Sequence, residues 1–151
     1  MVSGSNLHGE SFEEILETVF ESAETVLLVD PTGETVEALT AVTSAAANPP
    51  MVRMLADETL LKDVMDDFVV ASNAADHVAS GTLSIRAGQD AANTLLITDT
   101  AVWSLVAVGD HVAALGTDDE AFVKALRETY ETRWETASTF DLRTPPLSRV
   151  R

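Results

Sequence analysis

The hydrophobic positions of this chain form short unbroken runs and four-residue stripes, a pattern that predicts strands and helices in turn. The pattern is clearest over residues 93–134, where the apolar runs NTLLITD, TAVWSLVAV and HVAALG precede the long segment TDDEAFVKALRETYETRW. Residues 99–100 (Asp-Thr) and 109–110 (Gly-Asp) separate the runs, as is typical of tight hairpins. The long segment predicts a helix that begins with a capping box of Thr117 and Glu120. Its apolar stripe consists of Phe122, Leu126, Tyr130 and Trp134.

The first half of the chain predicts alternating helices and strands. Ser11 with Glu14 forms a capping box for a first helix, and residues 25–30 and 51–56 are apolar runs typical of interior parallel strands. Helices are expected over 34–46 and 57–80, the second with a break near 69–72, and a third strand over 82–86. The predicted fold class is α/β, with a mixed sheet of about six strands, βαβαβ followed by an antiparallel meander, flanked by helices.

The domain boundaries follow from the same pattern. Residues 1–10 are small and polar and are expected to be a flexible N-terminus, while 11–139 are expected to form one α/β domain. Residues 140–151 contain Pro145-Pro146 and are expected to be a linker or tail. The sequence contains no cysteine, no basic and apolar signal peptide and no apolar run near ~18 residues, so we expect a cytoplasmic protein without a membrane span.

Charge changes this picture most. Asp and Glu number 25 against 9 Lys and Arg, so the formal charge is −16. The carboxylates are spread along the chain, whereas acidity that binds a basic partner usually forms a block. We therefore favour an adaptation to a salt-rich cytoplasm, where screening removes the repulsion between carboxylates. The same charge argues against DNA binding by these residues, because DNA requires a basic surface.

No catalytic or phosphate-binding motif is present, and the three histidines form no ligand-spaced cluster, so we expect no catalytic residues, metal or cofactor. Asp30 and Asp57 each directly follow a predicted parallel strand, where open α/β sheets bind ligands. Asp30, Thr32 and Asp57 are therefore the candidate ligand-binding residues. A purely structural role also explains the two carboxylates, because Asp57 is a good helix N-cap and Asp30 precedes a proline turn. A third alternative is a hydrolase that holds a divalent metal between them.

The second strand of the meander is apolar on both faces. Trp103 and Leu105 lie on one side, and Val102 and Val106 on the other. Both faces must therefore be covered, by helices of the same chain or by another subunit. Trp103 and Leu105 are accordingly either core residues or candidates for a homodimer interface.

Several of these strings resemble known families. The meander with its aromatic-rich helix resembles the end of a phospholipase-D-like repeat, a unit that also forms the effector-sensing domain of TrmB-type sugar-responsive regulators. More closely, residues 12–151 resemble the N-terminal domain of TbsP-type transcriptional regulators of halophilic archaea. The match is carried by VLLVDPTGETVEAL, VRMLADE, LKDVMDDF, TDDEAFV and FDLRTPPLSRVR.

The resemblance implies a non-catalytic domain. Phospholipase-D-like enzymes use His-x-Lys-x-x-x-x-Asp, and aligning Asp99 with the final aspartate places Ala92 at the histidine and Thr94 at the lysine. Without that nucleophile, phosphodiester chemistry is not expected. The regulators continue into a helix-turn-helix domain, so we expect an isolated sensor and dimerisation domain that controls carbon-metabolism genes. The implied partners are a second copy, a sugar or glycolytic intermediate, and DNA only through a C-terminal domain beyond Arg151. The alternative is a ligand-independent oligomerisation module.

Overall fold

The computed structural model describes residues 7–9, 11–88 and 94–140. The helices in these ranges are α1 (Phe12–Phe20), α2 (Gly33–Ala45), α3 (Glu58–Val64), α4 (Phe68–Ala79) and α5 (Glu120–Thr136). The strands are β1 (Leu7–Gly9), β2 (Thr25–Val29), β3 (Met51–Ala56), β4 (Leu83–Ala87), β5 (Leu95–Thr98), β6 (Val102–Val108), β7 (His111–Thr117) and β8 (Ser138–Thr139).

All of these strands belong to one mixed sheet, in the order β1-β7-β6-β5-β2-β3-β4-β8. The central strands β2, β3 and β4 are parallel, and every other described pair is antiparallel. This confirms the predicted α/β class, with βαβαβ followed by a meander. The sheet has two more strands than expected, and both are short segments at its edges.

One of these edge strands, β1, lies within residues 1–10, which the sequence predicts to be a flexible N-terminus. Residues Leu7–Gly9 pair with β7, with Leu7 opposite Ala114 and Gly9 opposite Val112. Three residues of mixed character carry no readable period of two, so the sequence pattern does not predict the strand. Residues 1–6 and 10 lie outside the described residues, as do most of the predicted linker (141–151) and Ala92.

Two apolar cores lie on opposite faces of the sheet. Val26 and Leu28 of β2 face the first core together with buried residues of α1, α2, α3 and α4. Leu27 and Val29, which alternate with them, face the second core together with Val123 and Trp134 of α5. β2 is therefore buried on both faces, which explains its unbroken apolar run. Among the described helices, none combines the length and the apolar character needed to cross a bilayer.

The start of α5 differs from the prediction. Asp119, not Thr117, is the N-cap, and its carboxylate accepts from the N–H of Phe122 at 3.0 Å. Thr117 is the last residue of β7, so the helix begins later than the capping-box pattern suggests. Phe122 is consequently half exposed, and the neighbouring Val123 is the buried residue of the first turn. The predicted stripe is therefore wrong at its first position.

The break between α3 and α4 also differs from the prediction. Instead of a break at 69–72, α3 ends at Val64 and α4 begins at Phe68. The carboxylate of Asp67 accepts from the N–H groups of Val69 and Val70 at 3.0 and 3.2 Å, which makes it the N-cap of α4. In the pair Asp66-Asp67, the second residue therefore caps a helix instead of lying on the solvated surface of one.

Candidate functional site

The carboxyl ends of the parallel strands bring together the first predicted site residue and a part of the chain far away in sequence. Asp30 directly follows β2, and its N–H donates to the carbonyl of Leu55 at 2.9 Å. The hydroxyl of Thr94 donates to the carbonyl of Asp30 at 2.7 Å. Asp30 has a φ of 49°, a left-handed conformation that Asp tolerates better than most residues. The backbone at this position is therefore held by two neighbouring strands.

The side chain of Asp30 forms an ion pair with Arg133 of α5. Both terminal nitrogens of Arg133 donate to the two carboxylate oxygens, each at 3.3 Å. The Asp30 side chain is 2% exposed and that of Arg133 is 22% exposed. The guanidinium also lies over the ring of Tyr130, 5.4 Å from its centroid. A buried carboxylate needs such a partner, because an unpaired charge in this position would strongly destabilise the fold.

Arg133 and Asp57 line the same polar cavity, which has a volume of about 470 Å³. Its wall consists of Asp57, Glu58, Thr59, Ala87, Gly88, Arg133, Thr136, Ala137 and Ser138. Acidic groups from the start of α3 thus face a guanidinium and a hydroxyl from the end of α5. Carboxylates accept hydrogen bonds and a guanidinium donates them, so this wall suits a ligand with several hydroxyl groups.

Two of the predicted ligand-binding residues also serve as helix caps. The carboxylate of Asp57 accepts from the N–H of Thr59 at 3.0 Å and that of Leu60 at 3.3 Å. The hydroxyl of Thr32 accepts from the N–H of Thr35 at 3.2 Å and lies 2.7 Å from its hydroxyl. The structure therefore places Asp57 and Arg133, the partner of Asp30, in the wall of one cavity, and it places Thr32 at the start of α2. The ligand-binding role of all three stays a prediction.

Arginines fix α5 against the sheet. Arg53 of β3 donates from both terminal nitrogens to the carboxylate of Glu131, and its guanidinium lies 5.1 Å from the Trp134 ring centroid. Arg86 of β4 also lies over the Trp134 ring, 4.7 Å from its centroid, and its guanidinium donates to the Trp134 carbonyl at 2.6 Å. With Arg133, three arginines hold a helix that contributes few buried apolar residues.

A second, wider groove of about 870 Å³ lies along the start and middle of α5. Its lining includes Asp99, whose carboxylate accepts from the N–H groups of Glu24 and Thr25 at 2.9 and 3.3 Å. Burial alone would raise the pKa of Asp99, but these hydrogen bonds and the charge of Arg127 outweigh it and hold the pKa below its ordinary value. Asp99, the residue that aligns with the enzymes' final aspartate, thus ties the meander to the start of β2.

Glu131 lines the same groove and has a pKa below its ordinary value. The hydrogen bond from Arg53 is the main cause, opposed by burial and supported by the charges of Arg53 and Arg127. Both perturbed carboxylates of the groove are therefore held ionised by structural contacts.

Trp103 and Leu105 are buried in the first core, beneath the helices of the same chain. Their burial supports the core alternative that the apolar pattern left open. The interface role of these two residues stays a prediction.

The described residues contain no group of three or more His, Asp or Glu side chains placed to hold a metal ion. Asp30 is engaged with Arg133, and Asp57 with the backbone of α3. The arrangement offers hydrogen-bonding groups around a cavity rather than an open carboxylate pair for a cation.

The fold and the cavity define an α/β domain with a polar site at its strand ends. The chain belongs to a regulator family: residues 4–145 match the family of TbsP-like transcriptional regulators, in their N-terminal domain. Comparison with curated proteins found no match.

Solved structures with a similar fold include an archaeal chromatin protein, a phospholipase D family member and the protein NucT. TrmBL2, an archaeal chromatin protein with a novel mode of DNA binding, has a TM-score of 0.64 at 18% identity, covering 91% of this chain and 54% of its own. Nuc from Salmonella typhimurium, a phospholipase D family member, has a TM-score of 0.60 at 13% identity, and the match covers 91% of this chain and 99% of Nuc. NucT from Helicobacter pylori has a TM-score of 0.54 at 13% identity, covering 91% and 100%. The chain thus spans about half the length of TrmBL2, and these likenesses show a common fold.

Proposed function

We propose that this chain is the sensor and dimerisation domain of a transcriptional regulator of carbon-metabolism genes in a halophilic, salt-rich cytoplasm. In this proposal the domain does not catalyse a reaction, and it binds a small metabolite, a sugar or a glycolytic intermediate, in the cavity between Asp57 and Arg133. DNA is bound by a further domain that follows the linker beginning at residue 140. The family and the α/β fold support a regulatory role.

The observation that carries the proposal is the position of α5. Its last turn forms one wall of the cavity, and its Arg133 is paired with Asp30 at the strand ends. After α5 the chain forms β8 beside β4 and then leads towards the linker. A ligand that hydrogen-bonds to Arg133 and Asp57 would change how firmly α5 is held, and the change would pass to any domain attached beyond it.

The absence of catalysis is supported by the residues at the aligned enzyme positions. Thr94 stands where the enzymes have lysine, and its hydroxyl donates to the Asp30 carbonyl. Asp99 is engaged with the backbone of Glu24 and Thr25. These groups therefore act as structural ties within the sheet and supply no nucleophile.

Thermal unfolding with a panel of neutral sugars and phosphorylated intermediates tests ligand binding. A ligand that binds only the folded state at 100 times its Kd stabilises it by about 2.7 kcal/mol, so its melting temperature must rise. We expect Thr136→Val to reduce this rise, because Thr136 lines the cavity and its loss leaves the Arg133–Asp30 pair intact. Thr129→Val is the matched control, because the Thr129 hydroxyl donates to a carbonyl four residues earlier in α5, as the Thr136 hydroxyl does, but Thr129 does not line the cavity. If no member of the panel stabilises the chain, sensing is contradicted and the ligand-independent alternative gains.

That alternative is a ligand-independent oligomerisation module. It is favoured by the internal engagement of the cavity groups, since Asp57 caps α3 and Arg133 pairs with Asp30. Both versions require the regulator that contains this domain to bind promoter DNA. If it retards no promoter fragment in a mobility-shift assay, the regulatory proposal itself is wrong.

A further inference from the structure

The hairpin of β6 and β7 has one buried face and one face that α5 does not reach. Directly opposed residues share a face in an antiparallel pair. Leu105 opposite Ala114 points into the first core, whereas Val106 opposite Ala113 points to the other side. We call this second side the hairpin face and define it by Ser104, Val106, Val108, His111, Ala113 and Leu115.

The hairpin face is apolar and largely open. α5 covers its neighbour Val102, which is buried in the second core. Further along the strands, Val108 is 72% exposed, Leu115 is 53% exposed and Val106 is partly exposed. Large apolar side chains grouped on one sheet face are typical of an interaction surface.

The hairpin face carries no Asp, Glu, Lys or Arg in a chain whose formal charge is −16, and its polar side chains are those of Ser104 and His111. Between Ala101 and Thr117, Asp110 in the turn is the only Asp, Glu, Lys or Arg residue. A second group of exposed apolar side chains, Phe68 and Val69, directly follows Asp66 and Asp67. A basic partner would gain most at the acidic surfaces. A partner as acidic as this chain can approach closely only where no carboxylates meet.

We propose that the hairpin face packs against the same face of a second copy of this chain, as a two-fold symmetric, sheet-on-sheet dimer. Identical apolar strips are self-complementary under two-fold symmetry, and neither copy brings a carboxylate into the contact. This inference deepens the proposed function, of which dimerisation is a part, by assigning the surface.

The size of the hairpin face sets the expected strength. Two strands of seven residues cover a strip of about 23 by 10 Å. This is well below the ~800 Å² that each partner contributes to a standard interface, so we expect a weak dimer whose population depends on protein concentration. Screening of the net charge strengthens such a dimer as salt rises, whereas association through ion pairs weakens.

The test is sedimentation equilibrium of the 151-residue chain over a concentration series at 1 and 3 M KCl, with circular dichroism to confirm folding. We expect a dimer that tightens with salt, and a dissociation constant at least about tenfold higher for Val108→Glu and Leu115→Glu, a change of about 1.4 kcal/mol. Val69→Glu is the matched control, since it places a carboxylate at a site that is 65% exposed on α4, and it should leave the dimer unchanged.

The inference is overturned by a wild-type monomer throughout the series, by a dimer that weakens with salt, or by equal loss of dimer in Val69→Glu. A dimer that persists in both hairpin-face variants also overturns the assignment of the surface and leaves the proposed function standing. Failure of the regulator to bind promoter DNA has the opposite effect, because it contradicts the proposed function without altering the oligomeric state.

Discussion

At the scale of single residues, two arginine–carboxylate ion pairs of the same chemical type differ in how deeply they are buried. Arg133–Asp30 has a carboxylate side chain that is 2% exposed, whereas the Arg53–Glu131 side chains are 29% and 43% exposed. Water solvates and screens the second pair, so its net contribution to stability is small. The first carboxylate has no such compensation if its partner is lost.

We predict that Asp30→Asn lowers the free energy of unfolding by about 1–3 kcal/mol, because it places amide N–H donors where the buried carboxylate accepts from Arg133. Asparagine tolerates the left-handed φ of this position, so the change isolates the charge. Glu131→Gln is the comparison and should cost less than about 1 kcal/mol. Urea unfolding in molar KCl measures both, because urea leaves the ionic strength unchanged. Equal losses in the two variants would contradict the burial argument.

A second residue-scale prediction concerns Gly116, which lies opposite Trp103 in the sheet. A Cβ at this position would lie 2.3 Å from Cδ1 of Trp103 and 2.6 Å from the carbonyl oxygen of Val102. Gly116→Ala should therefore displace the indole, lower the free energy of unfolding by about 1–3 kcal/mol and alter tryptophan fluorescence.

Gly33→Ala is the control for this prediction. Its Cβ would meet only Cγ2 of Val64 at 3.5 Å, an ordinary contact, in the first turn of α2. Alanine favours helix and reduces the freedom of the unfolded chain, so we expect no loss and a gain of up to about 1 kcal/mol. If Gly116→Ala is as stable as Gly33→Ala, the packing of Trp103 against the strand is wrong.

At the scale of elements, local patterns predict what local interactions decide. The caps at Ser11 and Asp57 are confirmed because each side chain bonds to an N–H within three residues. The predicted cap of α5 is wrong because Thr117 pairs with Val102 as the last residue of β7, and this pairing depends on a contact distant in sequence. The sequence predicts Asp30 and Asp57 as ligand-binding residues from their positions after strands, but it does not predict Arg133. It lies 103 residues from Asp30, and no short spacing connects them.

The contacts that hold α5 and the meander predict the acid response. Asp99 and Glu131 have pKa values lowered in the folded chain, so they contribute stability above their unfolded pKa values and lose it as pH falls through the folded ones. In molar salt we expect the free energy of unfolding to fall progressively below about pH 5. Asp99→Asn and Glu131→Gln should each reduce this fall.

Urea unfolding at a series of pH values provides the measurement, with Glu17→Gln as the control. Glu17 is an exposed carboxylate on α1, and its replacement should leave the slope unchanged. A slope that is insensitive to Asp99→Asn and Glu131→Gln would show that these two contacts do not carry the acid response.

At the scale of the whole molecule, the order of the sheet lay beyond sequence reasoning. The period of apolar residues identified the central strands, but their neighbours depend on contacts distant in sequence, such as β2 between β3 and β5. The edge strands β1 and β8 have three and two residues, too few to show a period. Net charge, in contrast, belongs to the whole chain and can be taken from the sequence directly.

That charge carries the last prediction. Glu13, Glu17 and Glu21 lie four residues apart on or beside α1 and are exposed, so like charges repel along one helix face. The Debye length is about 8 Å at 0.15 M and 3 Å at 1 M salt, so molar salt removes most of this repulsion. We expect circular dichroism to show loss of structure below a few tenths molar KCl.

Replacing the three glutamates by glutamine should shift the midpoint to lower salt. Sucrose should not replace KCl, because it does not screen charge. Unchanged spectra after dialysis into dilute buffer would mean that apolar burial alone outweighs the repulsion, and the acidic surface would then need another explanation than salt.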